Sequence, residues 1–445
     1  MPLNPIDLSR AGAPHVGSYW AVTAGDEVSG VVPVTEDLDV DIAIIGGGYT
    51  GLSTAYHLAR DHGVAAHVLE ANRIGWGCSG RNGGFCSIGI GKEDFETWVR
   101  RWGIDQARTV FEMGREAVRT VRGLVTDEGF DVEMTPEGGL ELAHKANRMP
   151  GFATRSQMLH DLFGVETRLL DRAALERDYL VSREAHGALL YSEGFALHAM
   201  RYVRGLAEAA QRRGAVLHGS SPVTEWRRDG ERHLLVTPRG TVRARQVVIA
   251  TNGYTNDSLH PRTNGRLLPV LSNIIVTRPL TAAERESVNW QTYLKIWDSR
   301  RLLFYYRLLP DNRVLFGARG GIHDTPTANR KQKAWLQRRF ADMFPPLSGV
   351  DTDFFWRGWV CASYDKNPHL GTTDDPTVHY ALAYLGTGVA LSTLCGRLLA
   401  TRLGGGAVDA GPLLSQPLPP FPFPRFRRLY QRAAYSYYAL QDRLL

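Results

Sequence analysis

Asp41-Ile42-Ala43-Ile44-Ile45-Gly46-Gly47-Gly48-Tyr49-Thr50-Gly51-Leu52 decides the fold. An apolar strand runs straight into G-x-G-x-x-G (Gly46, Gly48, Gly51), and a helix-like run follows through Arg60. A second apolar segment, Ala66-His67-Val68-Leu69, ends at Glu70, about 20 residues past the last glycine, which is the spacing of a βαβ unit that holds a dinucleotide. Gly46 permits the tight turn, Gly48 lets backbone approach a pyrophosphate, and Gly51 allows strand and helix to pack closely. The helix N-terminus then presents free N–H groups and a partial positive charge to the phosphates. Glu70 is placed to accept hydrogen bonds from a ribose diol. An acid here suits an unphosphorylated ribose, so NAD or FAD fits better than NADP. A purely structural glycine turn is the bland alternative, and the strand, helix and acid together argue against it.

The chain has 445 residues, too many for one ordinary core, so two domains or one elaborated domain are expected. Its 43% hydrophobic and 22% charged content are ordinary globular values. Net charge is +6, with 52 basic and 46 acidic residues mixed along the chain. No basic stripe or nucleic-acid motif is present, so no nucleic-acid partner is expected. A cationic site that attracts an anionic substrate stays open. The four cysteines, Cys78, Cys86, Cys361 and Cys395, show no metal-ligand pair spacing and form no dense disulfide framework. The N-terminal residues lack a basic region followed by an apolar core. The most apolar windows, 41–58 and 381–400, are Gly- and Thr-rich and read as strand–turn–helix units, not membrane spans. A soluble, cytoplasmic protein with no transmembrane segment and no metal is the expectation.

Residues 1–37 read as an irregular arm, and 38–75 as the βαβ unit. Residues 76–91 form a glycine-rich loop too long for a mere connection. Helical periodicity covers 104–128, and 132–143 alternate like a strand pair around Pro136-Glu137-Gly138-Gly139. Helices are predicted near 153–163, 172–178, 199–213 and 328–343. Val242–Ala250 reads as two strands, the second entering Thr251-Asn252-Gly253. Strands at Tyr305-Tyr306-Arg307 and Val314–Gly317 flank a turn at Pro310-Asp311-Asn312. Residues 381–403 repeat the opening grammar: strand, Gly386-Thr387-Gly388, helix.

The nucleotide-site elements therefore recur along the chain. The fold class read from them is α/β: a discontinuous Rossmann-like domain (38–98, 190–258 and 365–410) with an inserted α+β domain on a mainly antiparallel sheet (99–189 and 259–364). The tail, 411–445, starts Pro-rich and continues as a basic helix with Phe426, Leu429, Ala433, Tyr437, Leu440 and Leu444 near one face. Packing of this helix back on the body is the favoured reading, with attachment to a membrane surface as the alternative.

Five segments carry a resemblance: Ser18-Tyr19-Trp20; Ile44 to Gly51 with Glu70; Gly75-Trp76-Gly77-Cys78-Ser79-Gly80-Arg81-Asn82-Gly83-Gly84; Ala250-Thr251-Asn252-Gly253-Tyr254-Thr255; and Gly386-Thr387-Gly388-Val389-Ala390-Leu391-Ser392 with Gly396. Together they span nearly the whole chain, and the G-x-G-x-S-G-R-N-G-G loop is far more specific than the first glycine motif. The chain resembles the D-amino-acid oxidase superfamily of flavoenzymes, in the branch around γ-glutamylputrescine oxidoreductase and sarcosine or glycine oxidase.

The resemblance implies FAD, not NAD. Backbone amides around Gly46, Gly48, Tyr49, Thr50 and Gly51 and hydroxyls such as Ser79 would hold the pyrophosphate; Gly77 and Cys78 join the cofactor set, with packing the default role for the Cys78 side chain. Glu70 and Ala71 would lie at the adenosine ribose, and backbone near Val223 on the adenine side. Arg81, Asn82, Gly83 and Gly84 would run alongside the isoalloxazine ring, with Thr251 also in the cofactor set. The turn at Gly386, Gly388, Val389 and Leu391 would place a helix N-terminus near the pyrimidine edge, where its dipole favours the reduced anion.

The implied reaction is oxidation of a C–N bond, with hydride passing to flavin N5 and the imine hydrolysing afterwards. The implied partners are a small amine substrate, carboxylated, and O2 or another electron acceptor. In the sarcosine oxidase branch a lysine two residues before a strand glycine helps oxygen react. If that glycine is Gly317, the position here is Leu315, which leaves a dehydrogenase with another acceptor open. Arg319 shares a strand face with Leu315 and is the candidate for binding a substrate carboxylate, with a surface or structural ion pair as the alternative. Tyr306 is the second substrate-positioning candidate, among Tyr305, Tyr306 and Arg307. Cys361 lies near where some relatives attach flavin covalently, but the spacing fails, so FAD is expected to be non-covalent. His198 is expected to make a helix-start hydrogen bond. A flavin-binding subunit without turnover and a NAD-linked dehydrogenase are the competing readings; the R-N-G-G loop disfavours the latter.

Overall fold

The computed structural model describes residues 3–9, 11–93 and 95–444. Met1, Pro2 and Arg10 of the predicted arm, Asp94, and Leu445 of the predicted tail lie outside the described residues.

One sheet grows from the opening strand, Leu38–Ile45. That strand pairs in parallel with His67–Leu69 on one side and Thr241–Ile249 on the other. Val216–His218 and Val378–Leu382 extend the parallel order outward, and His369–Thr372 closes an edge antiparallel. The strand side chains alternate between faces. Ile42 and Ile44 join one core with helices Tyr49–His62, Ala199–Arg212 and Gly388–Leu403. Ala43 and Ile45 join another core under the Glu225–Val236 hairpin. The adjoining helices approach closely at Gly396, where a Cβ would lie 2.5 Å from Ser53 Cβ.

The second sheet has eight strands in the order Thr352–Ala362, Leu268–Thr277, Val314–Arg319, Phe304–Leu308, Lys295–Asp298, Gly139–Leu142, Gly187–Tyr191 and Thr167–Asp171. It is antiparallel except where Lys295–Asp298 meets Gly139–Leu142. Its outer face packs on helix Pro326–Met343 through Phe316, Leu336 and Phe340. Its inner face, with Ile274, Leu315 and Trp356, joins the core of the parallel-sheet domain. The architecture is thus a discontinuous Rossmann-like domain with an inserted α+β domain.

Three local readings change. Residues 241–249 form one strand, not two; its first half pairs with Arg232–Val236 and its second with Val378–Leu382, so two partners share a single strand. Of the pair expected across 132–143, only Gly139–Leu142 is a strand. Glu133 has φ 50° and Pro136 offers no N–H, which breaks the first arm. Helix Ile104–Asp127, assigned from sequence to the inserted domain, buries Ala107, Val110, Ala117 and Val121 in the parallel-sheet core.

The tail helix, Arg427–Leu444, lies on the body as favoured, but not by the face expected. Arg427 and Gln431 are buried, whereas Leu429, Tyr437, Leu440 and Leu444 are exposed. Polar anchors outweigh the apolar stripe. The buried Arg427 guanidinium pairs with Asp257 and donates to the Leu267 carbonyl at 2.6 Å. At the other end Asp442 accepts from the amides of Arg301 (2.8 Å) and Leu302 (3.0 Å).

Candidate functional site

A continuous cleft enclosing about 1200 Å³ to its open mouth runs across the C-terminal ends of the parallel strands, where ligands bind in open α/β sheets. Its lining includes Glu70, Ala71 and Val223, then Gly46, Gly48, Tyr49, Thr50, Gly77, Cys78, Ser79, Asn82 and Thr251, and also Gly386, Gly388 and Val389. Most of the residues singled out from sequence therefore converge. Five of the cofactor candidates do not line it, Gly51, Arg81, Gly83, Gly84 and Leu391, and neither do the two substrate candidates, Arg319 and Tyr306.

Each of the five has a physical reason. A Cβ on Gly51 would sit 2.1 Å from the Gly46 carbonyl, so this position serves strand–helix contact. The Arg81 side chain turns away: Nε donates to the Trp76 carbonyl at 2.7 Å, and the guanidinium stacks 4.1 Å from the Trp76 ring. Gly83 backs onto the Tyr305 ring, and Gly84, at φ 77°, onto the Leu197 carbonyl. Leu391 faces the helix-packed core.

The Arg81–Gly84 loop is held rigidly. Asn82 Nδ2 donates to the carbonyls of Cys78 (3.0 Å) and Ser79 (2.9 Å), while its Oδ1 accepts from the Gly84 amide at 2.7 Å. Two indoles fix it from outside. Trp20 Nε1 donates to the Asn82 carbonyl at 2.8 Å and Trp356 Nε1 to the Arg81 carbonyl at 2.9 Å. Trp20 owes its place to a short helix capped by Ser18.

Two helices, Tyr49–His62 and Gly388–Leu403, start at the cleft, and neither N-cap residue caps with its side chain. Ser79 Oγ instead accepts from the Tyr49 amide at 3.0 Å. Glu70 is half-buried, and burial pushes its carboxyl above the usual range. Its two oxygens accept from the amides of Gly47 (2.8 Å) and Asn72 (2.9 Å).

Sequence reasoning did not find Ile6 and Leu8, which also line the cleft. Asn256 brings the arm there: its Oδ1 accepts from the Ile6 amide and its Nδ2 donates to the Ile6 carbonyl, at 3.3 and 3.0 Å. Nothing in the arm's own residues signals this. Asn252, Gly253 and Tyr254 were signalled by the Ala250–Thr255 motif, and Tyr384 and Leu385 by the repeated strand–turn grammar.

A family profile described as FAD dependent oxidoreductase (DAO) matches residues 41–402. The chain belongs to this family. It is 31% identical over 431 residues to gamma-glutamylputrescine oxidoreductase of Escherichia coli K12, covering 97% of this chain and 99% of that protein. It is 29% identical over 382 residues to the sarcosine oxidase subunit beta of Rhizobium meliloti, covering 82% and 85%. The crystal structure of glycine oxidase from Geobacillus kaustophilus superposes with a TM-score of 0.72 at 20% identity, over 85% of this chain and 99% of that one, which shows the shared fold. FAD is the cofactor of this oxidoreductase. The cleft suits it: two helix N-termini open on it, offering partial positive charge to a pyrophosphate, and the lining is mainly apolar.

The inserted sheet of this flavoenzyme packs on Gly83 through Tyr305 and reaches the cleft lining at Leu385 and Gly386 through Arg319. Tyr305, Gly317, Arg319 and Ser272 share the inner face, in register across neighbouring strands. Tyr305 Oη and Ser272 Oγ are 2.8 Å apart. Arg319 Nη2 donates to the Leu385 carbonyl at 2.7 Å, beside Gly386. Burial depresses the Arg319 pKa, against the pull of Tyr435, Tyr305 and Tyr438. Lys92 is exposed near Arg319; desolvation and the Arg319 charge lower its pKa to about 7, with Glu141 opposing.

Tyr306, the second sequence candidate, is on the wrong face. Its ring packs on Trp290, Phe316 and Phe344 in the outer core, and its hydroxyl has no partner. Strand alternation makes Tyr305 the residue that faces the site. Arg307 shares that face but points to the Leu197 carbonyl, at 2.7 Å, and stays structural. Leu315 lies in the domain core. His198 is the N-cap of helix Ala199–Arg212, its Nδ1 accepting from the Arg201 amide at 3.2 Å. Val360 lines the cleft, while the next side chain, Cys361, is fully buried in a separate apolar cluster with its thiol pushed up to about 12.

Proposed function

We propose that this FAD enzyme oxidises the C–N bond of a small polar amine that carries a carboxylate, of the γ-glutamyl polyamine or N-alkyl amino-acid type. The observation that carries the reading is the placement of Arg319. It is the cation on the inner sheet face beside Gly386, fixed by Leu385 and next to Tyr305. The name of the Escherichia coli relative supports the γ-glutamyl amine form, and the sarcosine oxidase subunit the N-alkyl form.

FAD would be held by backbone around Gly46–Thr50, by Ser79 and by Glu70 at the ribose. When bound, it supplies the two-electron acceptor for the carbon beside the amine nitrogen. The chain supplies everything else. Arg319 gives a guanidinium to the carboxylate, a charge-assisted pair with directional geometry. Tyr305 and Ser272 form the wall that sets the substrate's distance from Gly83. The buried setting favours the unprotonated amine, since desolvation disfavours the ammonium. No strong base is required. The proposed attachment of FAD is non-covalent, because Cys361 faces away from the cleft.

The test is a matched pair of substrates, a carboxylated secondary amine and its carboxamide. The carboxamide is expected to lose about 10- to 100-fold in kcat/KM, the worth of a charge-assisted contact. Equal values would remove the carboxylate from the reading.

A further inference from the structure

The outer face of the tail helix is the largest departure of this molecule from an ordinary surface. Twelve large hydrophobic side chains are exposed among the described residues, and six of them, Phe423, Phe426, Leu429, Tyr437, Leu440 and Leu444, fall in the last 23 residues. With Ala433, the helical members occupy an arc of about 80° at 100° per residue. Leu429, Tyr437, Leu440 and Leu444 keep 58%, 58%, 53% and 72% of their surface in solvent. The neighbouring Tyr364 is exposed too, and packs edge-on against Phe421 beneath this helix. Scattered exposed hydrophobics need no explanation, but a contiguous stripe marks a surface that something covers.

The charges around the stripe indicate what. Arg425, Arg432 and Arg443 are exposed beside it, as is Lys366, whose ammonium lies 5.9 Å from the Tyr438 ring. The nearby carboxylates are engaged. Asp442 is held by the Arg301 and Leu302 amides, Asp365 by Ser363 and His369, and Asp324 by Arg357 and Asn329. Asp324 is offset by Arg357, and the four exposed cations outnumber Asp442 and Asp365, so the rim is net cationic. Two copies paired stripe to stripe would gather net positive charge into one seam. An anionic lipid surface complements both the apolar stripe and its rim.

We propose that this stripe docks the protein onto an anionic membrane surface. The helix lies in the plane of the interface, about 27 Å long. Leu429, Tyr437, Leu440 and Leu444 enter the headgroup–acyl boundary, and the arginines meet lipid phosphates. The buried Arg427–Asp257 pair and the Asp442 contacts keep the helix fixed to the body, so docking orients the whole molecule. Among the described residues no helix is long and apolar enough to cross a membrane, and the proposed attachment is peripheral. The proposal is independent of the substrate reading.

The test is flotation of the flavin-loaded protein with vesicles of phosphatidylcholine alone or with phosphatidylglycerol added. Binding to the anionic vesicles is expected, weakening as salt rises. Leu429→Ser/Leu440→Ser should cut the partition at least tenfold while retaining bound-flavin absorbance, and Arg432→Glu should cut it with the stripe intact. No binding of the wild-type protein would overturn the proposal. So would binding that neither variant changes. A wild-type dimer in solution that Leu429→Ser/Leu440→Ser converts to monomer, without lipid binding, would give the stripe to a second copy and overturn it as well.

Discussion

Arg319 donates from Nη2 to the Leu385 carbonyl at 2.7 Å, joining the inserted sheet to the turn that starts the last Rossmann helix. One nitrogen is thereby spent on position; in the proposed reading the rest of the fork meets the substrate carboxylate. Arg319→Ala should raise the apparent KM for a carboxylated substrate by about 10- to 100-fold, with little change for a neutral amine. Arg319→Lys should recover only part, because an ammonium cannot hold Leu385 and a carboxylate in one plane. An unchanged KM in steady-state assays would remove Arg319 from substrate binding.

Lys92 supplies a pH signature. Its pKa is lowered to about 7, so it is cationic below that value and neutral above it. If it assists Arg319, KM for an anionic substrate rises as pH climbs through 7. Lys92→Met should flatten that profile and raise KM at low pH. A profile identical in the two proteins would contradict the assignment.

The strand face makes a sharp pair. Tyr305→Phe removes the hydroxyl that meets Ser272 and should lower kcat/KM. Tyr306→Phe removes a buried hydroxyl without a partner, so it should leave kinetics unchanged and stability equal or slightly higher. Parallel kinetics and thermal melts of the two variants check this.

Gly51 tests the fold that holds FAD. A Cβ there would meet the Gly46 carbonyl at 2.1 Å and Ile44 Cγ2 at 3.0 Å. Gly51→Ala should cost about 1–3 kcal/mol in denaturant unfolding, the range for overpacking, and lower flavin content.

Acid precipitation checks attachment. Cys361 is buried away from the cleft, so the flavin should leave with the supernatant. Flavin retained in the pellet would contradict non-covalent binding.

The α/β fold class and most of the cleft were legible because glycines, apolar runs and an acid recur at fixed spacings that backbone geometry enforces. Gly46, Glu70 and Gly388 could be placed for that reason. What was not legible depended on faces and distant partners. Tyr305 and Tyr306 are adjacent and alike, and only the register with Gly317 says which one faces the site. Ile6 reaches the cleft through Asn256, 250 residues away. Leu429 and Leu440 predicted a packed face, yet Arg427 found a buried carboxylate in Asp257, and that pair turned the helix the other way.

The central claim is that this FAD protein takes electrons from a carboxylated amine. Its most direct test is the visible spectrum of the purified protein, without oxygen, as amines are added one at a time. The flavin bands should bleach with a carboxylated secondary amine or γ-glutamyl amine, and far more slowly with the same amine lacking the carboxylate. Bound flavin that no amine bleaches would contradict the account.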